Sequence, residues 1–185
     1  MRASDKLLYF IALIPHAGLR EEIREIKERM RDEYAAGHAL RSPAHITVQM
    51  PFKRSYADEE SVSEALERFA LQQQPFMIDL DGYGSFPPRV IYIRVSNPGP
   101  VRALHARLRE MLTDGLGFEH HEVTGEVKPH ITIATRDLTA TAFSEAWPVM
   151  QKEKFTGSFR AESIFLLKHN GRNWDILREF PFGER

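Results

Sequence analysis

Two short stretches of this 185-residue chain carry residue types that can move a proton and hold an anion: His45-Ile46-Thr47-Val48 and His130-Ile131-Thr132-Ile133. A proline stands just ahead of each, at Pro43 and Pro129. In an extended strand, successive side chains alternate between faces, so each histidine and threonine share one face while the apolar pair takes the other. The polar face then offers an imidazole that titrates near neutral pH and, about 7 Å along the strand, a hydroxyl that can donate to an oxyanion. One such histidine alone reads as a structural residue bonded to backbone or water. Two strands with the same offset are harder to ascribe to packing, because a core has no use for a polar face in duplicate.

If the two halves are related by a pseudo-two-fold axis, His45, Thr47, His130 and Thr132 meet across a shared cleft. Two facing histidines can divide the work: one takes a proton from an attacking hydroxyl or water, and the other gives one to a leaving oxygen. Threonine hydroxyls between them would hold the non-bridging oxygens of a phosphoryl group. That chemistry needs no metal or other cofactor and suits a phosphodiester, a strained cyclic ester most easily. Two other classes stay open: a non-catalytic module that binds RNA or nucleotides in the same cleft, and a metal-dependent hydrolase built on His45, His130 and the His120-His121 pair. The second lacks support in the spacing, since adjacent residues point apart and no H-E-x-x-H helix accompanies them.

The elements that must position these residues follow from periodicity. Leu7 to Ile14 reads as a buried strand, and from Leu19 the apolar positions shift to helical spacing through Ile23, Ile26, Met30 and Tyr34, with Gly37 as a helix end. The first His-Thr strand runs from Pro43 to Pro51. A second helix opens at Asp58 with Val62, Ala65, Leu66 and Phe69 as its stripe. Strands are predicted at Phe76–Leu80 and Val90–Val95, joined by a Gly and Pro loop from Asp81 to Arg89. A third helix from Pro100 ends near Gly115 or Gly117 and leads to the second His-Thr strand. A fourth spans Thr139–Met150. Strands at Phe155–Arg160, Ser163–Lys168 and Trp174–Phe180 close the chain, the last two joined at Asn170-Gly171 with the signal of a type I′ hairpin.

The order is thus stated twice: helix, His-Thr strand, helix, strand pair. It predicts an α+β fold with internal duplication, a single domain of two pseudo-symmetric lobes, two antiparallel sheets facing a central cleft and helices packed outside. Composition agrees with an ordinary globular domain, at 42% hydrophobic and 28% charged residues. The absence of cysteine removes disulfides, thiolate nucleophiles and Cys-based metal sites, and fits a cytoplasmic protein. Met1 to Lys6 has no secretory pattern, and Leu7 to Pro15 is too short to cross a bilayer. A net charge of −1 excludes a protein that coats long nucleic acid, though not one that recognises a nucleotide or an RNA end.

These motifs resemble the two-histidine (2H) phosphoesterases, which include RNA 2′,3′-cyclic phosphodiesterases and 2′-5′ RNA ligases and are marked by paired H-x-[ST]-apolar motifs in a bilobal α+β fold. Pro51-Phe52, Tyr83-Gly84-Ser85-Phe86 and Val90-Ile91-Tyr92-Ile93 look most like an uncharacterised bacterial branch. The resemblance implies metal-independent cleavage of a cyclic phosphate or related phosphodiester, the histidines reacting and the threonines binding phosphate; the expected protein is a monomer acting on a nucleotide or RNA terminus.

Several further residues carry two readings. Lys53, Arg54, Lys128 and Arg136 flank the motifs and would make the cleft attractive to phosphate, or else are solvated strand-end cations. Arg136 stands six residues after His130, one place later than the family's arginine. Phe52 could stack on a base or belong to the core. Tyr92 shares a strand face with Arg94 and lines the cleft or meets water. His16, His38, His105 and His169 lack a partner pattern and are read as structural or surface residues.

Overall fold

The computed structural model describes residues 6–183, so nearly all of the N-terminal segment read for a secretory pattern lies outside the described residues. Eight strands and four α-helices alternate as β1 (Lys6–Leu13), α1 (Ala17–Tyr34), β2 (Ile46–Ser55), α2 (Glu59–Ala70), β3 (Phe76–Phe86), β4 (Val90–Val95), α3 (Gly99–Glu110), β5 (His130–Ala134), α4 (Ala140–Met150), β6 (Thr156–Ala161), β7 (Ser163–His169) and β8 (Trp174–Pro181). They form two four-stranded sheets, ordered β2-β1-β7-β8 and β5-β4-β3-β6, with every pairing antiparallel. The His-Thr strands β2 and β5 are the corresponding edges of the two sheets and approach one another. Helices α2 and α3 pack on the first sheet; α1, with α4 against it, covers the second. No described helix is long and apolar enough to cross a membrane.

The predicted duplication is present, but its parts are exchanged. The β3–β4 hairpin, which follows the first motif in sequence, completes the sheet of the second. Conversely, β7 inserts beside β1 in the sheet of the first motif and brings β8 with it. One continuous core lies between the sheets and their helices, with Ile46, Val48, Ile131 and Ile133 fully buried in it. The polar faces of β2 and β5 are therefore turned the other way. A small second cluster, Phe10, Ala12, Ile14 and Leu167, forms under the cleft, which explains why Leu7 to Ile14 is apolar on both faces.

Local differences from the sequence reading have identifiable causes. Gly37 does not end α1; Ala35 takes the left-handed cap at φ 55°, and the Ala36 amide closes on the Met30 carbonyl. Burial of Ala36 holds this cap against the roughly 1 kcal/mol that a Cβ costs there. The expected Asp81–Arg89 loop is mostly strand. An extra residue between Leu80 and Tyr83 makes a bulge with Gly82 at φ 66°, and pairing then continues to Phe86. At Gly84 a Cβ would sit 2.5 Å from the Tyr92 ring, so that glycine marks a close approach and not a turn. The β7–β8 connection is a hairpin, yet its loop is four residues. The Asn170 side-chain oxygen accepts from the amides of Arg172 and Asn173, 3.0 and 2.7 Å away, in place of a two-residue turn.

Candidate active site

His45 immediately precedes β2 and His130 begins β5. Each imidazole is fixed in the same way: Nδ1 of His45 lies 2.7 Å from the Pro43 carbonyl, and Nδ1 of His130 lies 2.6 Å from the Lys128 carbonyl. A carbonyl oxygen only accepts, so Nδ1 carries the hydrogen in both rings and Nε2 is left for chemistry. Aromatic rings hold each imidazole in place. Phe10 packs 4.8 Å from His45, centroid to centroid, while Tyr92 and Phe86 lie 4.8 and 5.2 Å from His130.

The two environments differ in charge. Burial pushes His45 down to about 4, and the positive charges of Lys27 and His130 push in the same direction, against the Pro43 hydrogen bond. His130 is also lowered, by burial, with its Lys128 bond opposing. His130 is the smallest of these influences on His45, and its own imidazole stands beside the cleft lining rather than in it. Lys27 is 2% exposed, and its Nζ donates to the carbonyls of Ala39 and Ser42 at 3.0 and 3.1 Å, bracing the turn that leads into His45.

Burial pushes the Lys27 ammonium down to about 8. Between that value and the unfolded value of about 10.5, the unfolded chain binds more protons, so the Lys27 contribution to stability rises with pH across this window. Denaturant titrations of the parent and Lys27→Met from about pH 7 to 10.5 should therefore show the parent gaining stability relative to the variant. A pH-independent difference would mean that the ammonium is solvated.

A cleft of about 410 Å³ is lined by His45, Thr47, Thr132, Arg136, Phe10 and Trp174, with Met50, Pro51, Arg41 and Arg172 at its sides. His130 shares the strand face of Thr132. Arg136 adopts φ 57°, a conformation disfavoured for a long side chain, in a turn whose next residue, Asp137, accepts from the His38 amide at 2.8 Å. That clamp joins the loop after β5 to the turn before β2.

Other sequence candidates land elsewhere. Phe52 is 4% exposed and packs on Tyr9 and Phe118 in the core. Two one-residue bulges in β2, one on each side of Gln49, cancel, so Phe52 keeps the core face that strict alternation from Ile46 and Val48 gives it, while Met50 and Pro51 together face Phe10 and line the cleft. Lys53 pairs with Leu8 and is exposed beyond the cleft lining. Lys128 contributes its carbonyl, while its side chain is exposed and does not line the cleft. Tyr92 pairs with Thr132 and reaches the site through His130.

Arg54 is not a phosphate ligand in waiting: it pairs with Glu122 at 2.7 Å and lies 3.7 Å over Phe118. With Gln49, whose amide donates to the Glu122 carbonyl, it bolts the segment carrying His120 and His121 onto β2. Among the described residues no group of three His, Asp or Glu side chains is arranged to hold a metal. His38 and His169, read as structural or surface residues, line the cleft. Phe10, Trp174, Arg41, Arg172 and Lys27 were missed. Arg41 had a signal, a cation just ahead of Pro43, equivalent to those weighed at Lys53 and Lys128.

Comparison with known proteins gives consistent results. Residues 15–173 match the 2'-5' RNA ligase superfamily. A protein of Oceanobacillus iheyensis named as a candidate phosphoesterase is 28% identical over 181 residues, covering 95% of this chain and 98% of the relative. TT0787 of Thermus thermophilus superposes with a TM-score of 0.70 at 24% identity, covering 96% of this chain and all of the other. Escherichia coli LigT does so at 0.69 and 18% identity, covering 98% of this chain and all of LigT, which has also been crystallised with 3'-AMP. At these identities the two structures establish the fold.

Proposed function

The chain belongs to the 2'-5' RNA ligase superfamily, and from that premise we propose that it cleaves a 2′,3′-cyclic phosphate, or a related cyclic phosphodiester, on a nucleotide or RNA end. The observation that carries this reading is the duplicated imidazole device, in which each Nδ1 is tied to the carbonyl two residues back and each Nε2 is left for the substrate. Binding a phosphate would not require two groups poised to exchange protons. The 3'-AMP complex of LigT supports a nucleotide as the occupant of such a cleft.

In the proposed reaction His45 is the base. Its deeper burial and the neighbouring Lys27 keep it neutral over a wide pH range. Its Nε2 takes a proton from water as the oxygen attacks phosphorus. His130, in its charged form, gives the Nε2 proton to the leaving ribose oxygen, so the P–O bond breaks without expelling an alkoxide. Thr47 and Thr132 donate to the non-bridging oxygens, with Arg136 supplying positive charge beside them. Only this chain's side chains are needed, acting as a monomer and without a cofactor.

The direct test is hydrolysis of 2′,3′-cyclic nucleotides with chelator present and identification of the product. Turnover that vanishes in chelator, or none at all, would remove the reading. Thr47→Val and Thr132→Val keep shape but lose the hydroxyl; each should lower kcat/KM by about 5- to 150-fold, the equivalent of about 1 to 3 kcal/mol for a charge-assisted hydrogen bond. Parent-like rates in both would reduce the threonines to strand formers.

A further inference from the structure

A second cavity of about 450 Å³ adjoins the cleft. The two share Arg41, Ser42 and Trp174, so a ligand can pass from one to the other without leaving the surface. Arg20 and Arg24, one helical turn apart on α1, line this trough together with Asn173 of the β7–β8 connection and Trp174 at the start of β8. Its two carboxylates are already engaged: Glu21 lies 3.7 Å from Arg24, and Asp175 accepts from the Asn170 amide at 2.8 Å.

Four of the five arginines that line the two cavities have no carboxylate partner among the described residues, Arg24 with Glu21 and Glu28 being the exception; Arg89, Arg94, Arg102, Arg107 and Arg109 elsewhere also lack one. Arg29, Arg54, Arg160 and Arg178 each have a carboxylate partner. Arg136, Arg172, Arg41 and Arg20 have none among the described residues, and these four mark a path from the cleft into the trough. Arginines left unpaired in two adjoining cavities suit a phosphodiester backbone, because each can pair with a phosphate. Trp174 stands where the two cavities join, its ring braced by Phe10 at 4.6 Å and His169 at 4.9 Å. A fixed indole beside a basic groove is a stacking platform for a base. With a net charge of −1 overall, the basic path is local and fits a short single-stranded end.

Resting on the phosphoesterase reading above, we infer that the trough holds the nucleotide preceding the reacting one, so the preferred substrate is a single strand of at least two nucleotides and a free cyclic mononucleotide is a truncated substrate. Base stacking and a phosphate contact are together worth on the order of tenfold or more in affinity.

The test compares a 2′,3′-cyclic mononucleotide with a dinucleotide ending in the same cyclic phosphate, on the parent and on Arg20→Gln/Arg24→Gln. Both replaced side chains lie outside the cleft, Arg20 half-buried and Arg24 exposed. The parent should prefer the dinucleotide by about tenfold or more in kcat/KM, mostly through KM. The variant should lose that preference while turning over the mononucleotide at the parent rate. Equal treatment of the two substrates by parent and variant overturns the trough and leaves the phosphoesterase reading standing. If neither substrate is turned over, tryptophan emission titrated with a dinucleotide 3′-phosphate and a mononucleotide 3′-phosphate decides the trough separately. Tighter dinucleotide binding that the variant lacks would keep it; equal affinities would dismiss it.

Discussion

His45→Ala and His130→Ala should each lower turnover of a 2′,3′-cyclic nucleotide by about 10²-fold or more, since general acid and base contributions are commonly 10² to 10⁴. Removing both should cost far less than the product of the single losses, because an acid without its base has little left to assist. Neither ring is part of the main core, and the strands' buried residues, Ile46, Val48, Ile131 and Ile133, are untouched. Folding should survive, as unchanged near-ultraviolet circular dichroism would verify. A folded variant of either kind with a rate near the parent's would sink the two-histidine mechanism.

The second large effect is in pH. Free histidine titrates near 6.5, but burial lowers both imidazoles, His45 to about 4. The productive state has His45 neutral and His130 charged, so kcat/KM should rise as pH climbs through about 4 and fall again below 6.5. The maximum therefore lies on the acid side of the unperturbed value, with about tenfold loss per unit along each limb, and the limbs belong to the coupled pair. Bound phosphate favours the charged imidazoles, which moves the kcat profile to higher pH than that of kcat/KM.

Stability must be followed in the same titration. The folded-state value of His45 lies below the unfolded one, so its contribution is complete above 6.5 and is lost as pH falls through about 4. Activity measured with chelator from about pH 4 to 9 distinguishes the alternatives. A rate that climbs steadily with pH and collapses in chelator indicates metal-bound hydroxide, and the acid and base roles would be withdrawn.

The pair of His-Thr strands was legible because a two-residue period and a repeated residue type are local properties of the chain. Element order followed for the same reason. For Phe52 the core reading was already legible, since it shares the parity of Ile46 and Val48 and the two bulges of β2 cancel before it is reached. The long strand β3 hid behind glycines that serve a bulge and the Tyr92 ring instead of a turn. Lys27 offered a sequence signal that went unread: it lies between Ile23 and Met30 on the apolar stripe of α1, a place where a lysine is buried. Trp174 and Arg172 could not be assigned, because the neighbour that β7 chooses is set by tertiary pairing and not by its own pattern.

That exchange of strands also bears on how the molecule can be divided. A cut between β4 and α3 would give an N-terminal fragment with two strands of each sheet, and a C-terminal fragment with β5 and β6 from opposite edges of one sheet and β7 and β8 from the other. Neither fragment could close a sheet by itself, and both would expose unpaired strand edges prone to association. Separately expressed halves should therefore stay unfolded alone and regain structure only on mixing, as fragment complementation. The repeat visible in the sequence does not coincide with any segment that completes a sheet by itself.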